Sequence, residues 1–294
     1  MACFSPISAF QLESGEIVFA ERGKVRRKLD LPCSQCIGCR LERSRQWAVR
    51  CMHEASMHDS NVFVTLTYDE RNFNPSLCYR DFQLFMKRLR KKFGKARFYM
   101  CGEYGEQFRR PHFHACLFGV GFADGVPWSK SASGEMLYRS ADLEALWPHG
   151  FSSYGSVTFE SAAYVARYVM KKVTGNAAAA HYSFVDPITG ELSSLRPEFN
   201  KMSLKPGIGA EWFKAFKSDV YNYDSVIVNG VEARPPRYYD KLLSRSDPMR
   251  FEELEYSRYL KITPEVVADG SSARLAVREQ VAHARLGLKF RSLE

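Results

Sequence analysis

The chain has 294 residues, enough for one large domain or two modest ones around a buried core. Its 45% hydrophobic and 14% aromatic content excludes a mostly disordered polymer, and no apolar run approaches the roughly 18 residues of a membrane-spanning helix. The net charge of +9 is lopsided, with 20 Lys/Arg against 12 Asp/Glu in residues 1–110 and 22 against 21 in residues 111–294, so the first third favours a polyanion.

The start, MACFSP, lacks the basic-then-apolar pattern of a secretory signal, and eight cysteines are too few for a disulfide scaffold of this length. A reducing cytosol is the expected compartment. Residues 15–29 read as a hairpin turning near Arg22 and Gly23. The spacing Cys33-x2-Cys36-x2-Cys39 resembles three ligands of a structural Zn²⁺ site, with Cys3 as candidate fourth. Reduced thiols without metal, or a different metal, are the alternatives. Cys51, Cys78, Cys101 and Cys116 sit among apolar neighbours and read as small core residues.

A helix is expected from about Arg40 to His58, carrying Arg40, Arg43, Arg45 and Arg50. The β-branched run at 62–68 reads as a strand. Asp81 is placed to cap a helix ending at Gly94, with Phe82, Phe85, Met86, Leu89 and Phe93 on its apolar side and a basic face over 87–97 that includes Lys87 and Arg88. Strands at 97–103 and 111–119 flank a polar loop holding Arg109 and Arg110. Residues 120–140 read as a Gly/Ser-rich surface insertion, followed by a helix near 141–147, a strand near 151–158 and an amphipathic helix near 160–173. Antiparallel strands with helices on one face make an α+β fold. Residues 176–210 read as loop-rich, with helices expected at 211–221, 249–260 and 272–286. No P-loop pattern occurs, so a built-in NTP-driven helicase is not expected.

On a strand, His112 and His114 share one face and Phe113, Ala115 and Leu117 the other. A bare His-x-His is commonly no more than two satisfied surface histidines. An acid changes that reading: if the two strands pair as a hairpin, Glu103 lies opposite or diagonal to the histidines. Two imidazoles and one carboxylate leave open positions for oxygens and suit Mg²⁺ or Mn²⁺. Glu106 is an alternative third ligand.

On a helical wheel Tyr164, Tyr168 and Lys171 fall within about 60° of one another. Val165, Ala166, Val169, Met170 and Val173 occupy a separate apolar face, so the tyrosine–lysine stripe is expected to be exposed. Tyrosine can act as a covalent nucleophile, and a nearby ammonium favours its phenolate. A metal that polarises a phosphodiester and a tyrosine that attacks phosphorus would together cut and rejoin a nucleic-acid strand without ATP.

FVTLTYDE, GEYGEQFRRPHFHACLFG and YVARYVMKK, in that order, resemble the three motifs of the HUH-type rolling-circle replication initiators. PCSQCIGCRLERSRQWAVRC, PHFHACLFG, YVARYVMKK, KMSLKPGIGAEWF and RPPRYYDK more narrowly resemble the replication initiation proteins of gokushovirus-type (Microviridae) single-stranded DNA phages. The resemblance covers most of the chain; after residue 200 it marks membership rather than chemistry. It implies a central antiparallel sheet flanked by helices, of ferredoxin/RRM-like topology, with N- and C-terminal additions. It implies His112, His114 and Glu103 as metal ligands, Tyr168 with Lys171 as first-choice nucleophile and Tyr164 as second tyrosine. The implied activity is origin nicking with a 5′-phosphotyrosine link and later strand joining, in the host bacterial cytoplasm, on single-stranded DNA at an origin and with host helicase and replication machinery, away from any membrane.

The expected organisation is a Cys-rich basic segment (1–60), a catalytic domain (61–175) and an accessory region (176–294). Arg40, Arg43, Arg45, Lys87, Arg88, Arg109 and Arg110 are the expected DNA contacts. A relaxase or transposase of the same chemistry, or a non-catalytic zinc-stabilised nucleic-acid-binding protein, are the rival readings.

Overall fold

The computed structural model describes residues 3–72, 74–105, 109–131, 134–167, 172–173, 175–185 and 189–288. The described residues divide into two compact units: one runs up to Arg43 and resumes at Pro248, the other is Ser44–Asp247. In the first unit, strands β1 (Ile7–Leu12), β2 (Ile17–Val18) and β3 (Val25–Leu31) form a sheet in the order β2-β1-β3. The expected 15–29 hairpin is thereby corrected, because β2 and β3 both pair with β1 and not with each other. Helix α1 (Ile37–Ala55) begins in this unit, which also holds helices Pro248–Leu260, Pro264–Ala268 and Ser272–Gly287. Among the described residues no helix is long and apolar enough to cross a membrane.

The second unit is organised by β4 (Asn61–Tyr68), whose burial alternates residue by residue. Val62, Val64, Leu66 and Tyr68 point to one face and Phe63, Thr65 and Thr67 to the other, as the two-residue period of a strand requires. There follow α2 (Tyr79–Phe93), β5 (Arg97–Tyr104), β6 (Pro111–Phe118), β7 (Val126–Lys130), β8 (Met136–Arg139), α3 (Ala141–Leu146), β9 (Gly150–Ser156) and α4 (Phe159–Arg167). Then come α5 (Ala178–His181), β10 (Ser183–Val185), β11 (Leu192–Ser194), β12 (Phe199–Met202), α6 (Ala210–Tyr223), β13 (Val226–Val228), β14 (Val231–Ala233) and α7 (Arg237–Ser246).

Among the described residues, seven strands form one antiparallel sheet in the order β12-β5-β6-β4-β9-β8-β7. Its inner four, β5-β6-β4-β9, have the ferredoxin-like arrangement: α2 carries the chain from β4 over β6 to β5, and β6 returns between them. The fold is α+β, as expected.

Helices cover both faces of this sheet, not one. On the first face Phe82, Phe85, Met86 and Leu89 of α2 and Leu143 of α3 bury Phe113, Ala115, Leu117 and Met100. Trp147 sits in this core beside Tyr68, Phe85 and Phe113, and its indole N–H donates to the Thr67 carbonyl at 3.1 Å. On the second face Ala48 and Cys51 of α1 and Ala162, Val165 and Ala166 of α4 bury Tyr99, Cys101, Cys116 and Phe118.

Three further expectations are corrected. Helix α2 starts at Tyr79 with Cys78 before it; Asp81 does not cap it and instead accepts the Tyr68 hydroxyl at 2.7 Å. The 120–140 segment is not merely a surface insertion, since β7 and β8 extend the sheet through the Tyr138–Tyr154 pairing. The loop-rich 176–210 segment contributes β12 to the opposite edge, against β5. At Gly94 the expected C-cap is present, with φ at 82° and its N–H on the Arg90 carbonyl at 3.0 Å.

Candidate active site

Strand register decides which side chains meet. Glu103 of β5 pairs with His112 of β6, and Cys101 pairs with His114. Glu103 is therefore opposite the first histidine and diagonal to the second, on the second face of the sheet. Its Oε1 lies 3.0 Å from His112 Nε2 and 2.8 Å from His114 Nε2.

The other nitrogen of each ring is also engaged. His112 Nδ1 is 3.0 Å from the Arg110 carbonyl, which also accepts the Gly105 N–H that closes the hairpin. His114 Nδ1 is 2.9 Å from Thr65 Oγ1 on β4. A neutral ring that donates from Nδ1 presents a lone pair at Nε2. Two such lone pairs facing one carboxylate oxygen repel it unless a proton or a cation lies between them.

The site is desolvated: Glu103 is 1% exposed and His114 6%. Burial pushes the Glu103 carboxyl up, but hydrogen bonds and charge from His112 and His114 outweigh it, so the group stays below its ordinary value and ionised. Its Oε2 is buried with no hydrogen-bond partner among the described residues. The three ligand atoms lie within 4.8 Å of one another. An unused carboxylate oxygen and two convergent imidazole nitrogens fit a divalent cation with positions left for oxygen ligands.

Tyr164 meets this group. Its ring stands edge-on to His114 at 5.1 Å between centroids, and Phe63 lies parallel to His114 at 5.6 Å. The expected exposed stripe is corrected here, because Tyr164 is buried with only 9% exposure. Helix α4 is held on more than one side: Ser44 of α1 donates to the Ala163 carbonyl at 2.9 Å and Asn200 of β12 to the Val165 carbonyl at 2.8 Å. Tyr168 and Lys171, like Glu106, lie outside the described residues.

The basic residues are scattered. Arg110 borders the site, its Nη1 donating to the Tyr68 carbonyl at 3.2 Å. Arg109 donates to the His181 carbonyl at 2.8 Å, and Arg45 to the Arg234 carbonyl at 2.9 Å. Lys87 and Arg88 ride on α2, which packs against the face opposite the histidines; Arg88 donates to the Leu146 carbonyl at 2.9 Å. Arg97, at the end of the expected basic face, is buried against Glu54. Arg40 and Arg43 belong to the other unit, where Cys3, Cys33, Cys36 and Cys39 bring their sulfurs within 4.8 Å of one another.

Sequence reasoning missed Phe151. It pairs with Thr67, and Thr67 pairs with His112, so Glu103, His112, Thr67 and Phe151 form one row across the sheet on the same face. Phe151 is 60% exposed. The segment FSSYGS carried no sign that its first residue would be an open aromatic in line with the histidines.

Residues 61–173 match the family model that describes replication-associated proteins of the ORF2 type. The chain is 32% identical over 289 residues to the replication-associated protein VP4 of Bdellovibrio phage phiMH2K, covering 93% of this chain and 86% of the relative. It is 30% identical over 296 residues to the replication-associated protein ORF2 of Spiroplasma virus 4, covering 91% and 87%. It is 29% identical over 243 residues to the replication-associated protein ORF4 of Chlamydia phage 1, covering 79% and 58%. No solved structure matches it.

Proposed function

Because this chain belongs to the family of phage replication-associated proteins, we propose that it is a metal-dependent tyrosine nickase and strand-transferase that starts and ends rolling-circle replication of a small single-stranded DNA phage. The observation that carries the reading is the convergence of Glu103 Oε1, His112 Nε2 and His114 Nε2 beside the ring of Tyr164.

Mg²⁺ or Mn²⁺ held by Glu103, His112 and His114 supplies Lewis-acid polarisation of a phosphodiester. The Arg110 carbonyl and Thr65 hydroxyl fix the rings so that both Nε2 atoms face the carboxylate. The nucleophile is a tyrosine of the segment beginning at Phe159: Tyr168 first, with Lys171 favouring its phenolate, and Tyr164 second. Its Oη–P bond forms as the P–O3′ bond breaks, and the phenolic proton ends on the 3′ oxygen. The products are a 5′-phosphotyrosine and a free 3′ hydroxyl, so the bond energy is kept and the strand can be rejoined. Two tyrosines permit two successive transfers. Single-stranded DNA crosses the histidine-bearing face, with one base stacked on Phe151 two strand spacings, about 10 Å, from His112. Strand unwinding falls to a host helicase in the bacterial cytoplasm, as the sequence has no P-loop pattern.

The test is incubation with an origin-bearing single-stranded oligonucleotide and Mn²⁺, followed by a denaturing gel and peptide mapping of the linked tyrosine. A covalent adduct that needs the metal and maps to Tyr168 or Tyr164 is expected. Full adduct yield in EDTA, or in a Tyr164→Phe/Tyr168→Phe double variant, overturns the reading. Cleavage of a transposon end in place of a phage origin would support the transposase instead.

A further inference from the structure

The four cysteines of the first unit are untouched by this chemistry. Pairing of Ile7 with Leu31 brings the chain before β1 beside the chain after β3, and so sets Cys3 next to Cys33. Cys36 and Cys39 flank the first residues of α1. Ser34 takes a left-handed backbone, φ 64°, in the turn between them. That turn aims the N–H groups of Gln35 and Cys36 at Cys33 Sγ, at 3.4 and 3.2 Å. The Cys33 N–H donates to Cys3 Sγ and the Phe4 N–H to Cys36 Sγ, each at 3.3 Å. Backbone donors directed at sulfur stabilise thiolates.

The sulfur separations are specific. Cys33–Cys39 is 4.0 Å and Cys3–Cys36 is 3.9 Å. A disulfide needs about 2.05 Å. A tetrahedral cation with metal–sulfur bonds of about 2.3 Å sets its ligands on edges of about 3.8 Å. We propose that Cys3, Cys33, Cys36 and Cys39 hold one structural Zn²⁺ that ties the start of the chain to the first turn of α1. The four thiols release their protons on binding, and all four positions are filled, so the ion has none to offer a substrate. Its role is to lock the small β1–β3 sheet, whose three strands bury few apolar side chains of their own. The site is independent of the nicking reading.

The full chain, purified without chelator from zinc-supplemented cells, should carry one zinc per molecule by elemental analysis. The zinc should remain in the His112→Ala/His114→Ala variant and be lost in Cys36→Ser/Cys39→Ser. Should the cysteine variant fail to fold, wild-type protein stripped of metal and titrated with CoCl₂ still decides the matter. Thiolate-to-cobalt charge-transfer bands with intense tetrahedral visible bands are expected, and the imidazole–carboxylate group yields no such charge transfer. Trypsin should cut the stripped protein after Arg26, Arg27 or Lys28 about tenfold faster than the zinc-loaded protein. The proposal is overturned by the absence of charge-transfer bands, by iron and labile sulfide in place of zinc, or by zinc that follows the histidines and not the cysteines.

Discussion

What holds Nδ1 of each imidazole decides what Nε2 can bind. Thr65 Oγ1 lies 2.9 Å from His114 Nδ1, and the Arg110 carbonyl does the same for His112 from the backbone. Only the first can be removed by mutation without touching a metal ligand. Thr65→Val keeps the shape of the side chain and deletes the acceptor. Mn²⁺ affinity, measured by calorimetry on the DNA-free protein, should fall about 10- to 100-fold with the thermal unfolding curve nearly unchanged. Equal affinity in the variant would remove Thr65 from the site. The histidines and Glu103 were legible in sequence because a strand period of two and a hairpin register leave few alternatives. Tyr164 was harder: the wheel separates tyrosines from aliphatics correctly, but it cannot say that α4 is enclosed by the sheet, α1 and β12 together.

At the scale of elements, the part of α1 after Ser44 is fastened to the sheet unit by two buried polar residues. Glu54, 3% exposed, pairs with Arg97 at the start of β5 and accepts the Gly209 N–H at 2.7 Å, while Arg97 donates to the Pro206 carbonyl at 2.7 Å. Glu54→Gln leaves the Arg97 charge buried without its counter-ion and should destabilise the fold by about 3 kcal/mol in urea. Adding Arg97→Met should recover part of that loss.

One turn earlier His53 stacks on Trp212 at 3.5 Å and lies 2.9 Å from the Tyr239 hydroxyl. Burial pushes its pKa down from 6.5 to about 4. The unfolded chain therefore takes up a proton near pH 6.5 that the folded chain refuses until about pH 4, and stability is lost as the pH falls through that window. The urea midpoint should drop between pH 7 and pH 5 by an amount worth about 2 kcal/mol, and that drop should be absent in His53→Phe. An equal drop in the variant would assign the effect to other groups. Neither contact was readable from the sequence, since each joins residues more than 40 apart. The long strands and helices were readable from their periodicity. The four-residue strands β8 and β12 were not, because so short a run carries no period and is fixed by the edge it joins.

Across the whole molecule, the positive charge and the candidate chemistry do not coincide as the sequence suggested. The dense Lys/Arg row of α2 lies on one side of the sheet, and the histidines, Arg110 and Phe151 belong to the other face or its rim. If DNA crosses the histidine-bearing face, charge on α2 acts only at a distance, where salt screens it beyond about 10 Å. Binding of a short single-stranded oligonucleotide, followed by fluorescence anisotropy in EDTA so that no cleavage intervenes, separates the two sides. Phe151→Ala should weaken binding about five- to tenfold, the loss of one stacked base, and Phe151→Trp should retain it. Arg110→Ala should shallow the slope of log affinity against log salt by about 0.7, one phosphate contact to a single strand. Lys87→Glu/Lys91→Glu should change affinity less than about twofold at 0.15 M salt. A steep loss in the α2 variant with Phe151→Ala silent would put the strand on the opposite face, and the metal triad would then have to reach it around the sheet edge.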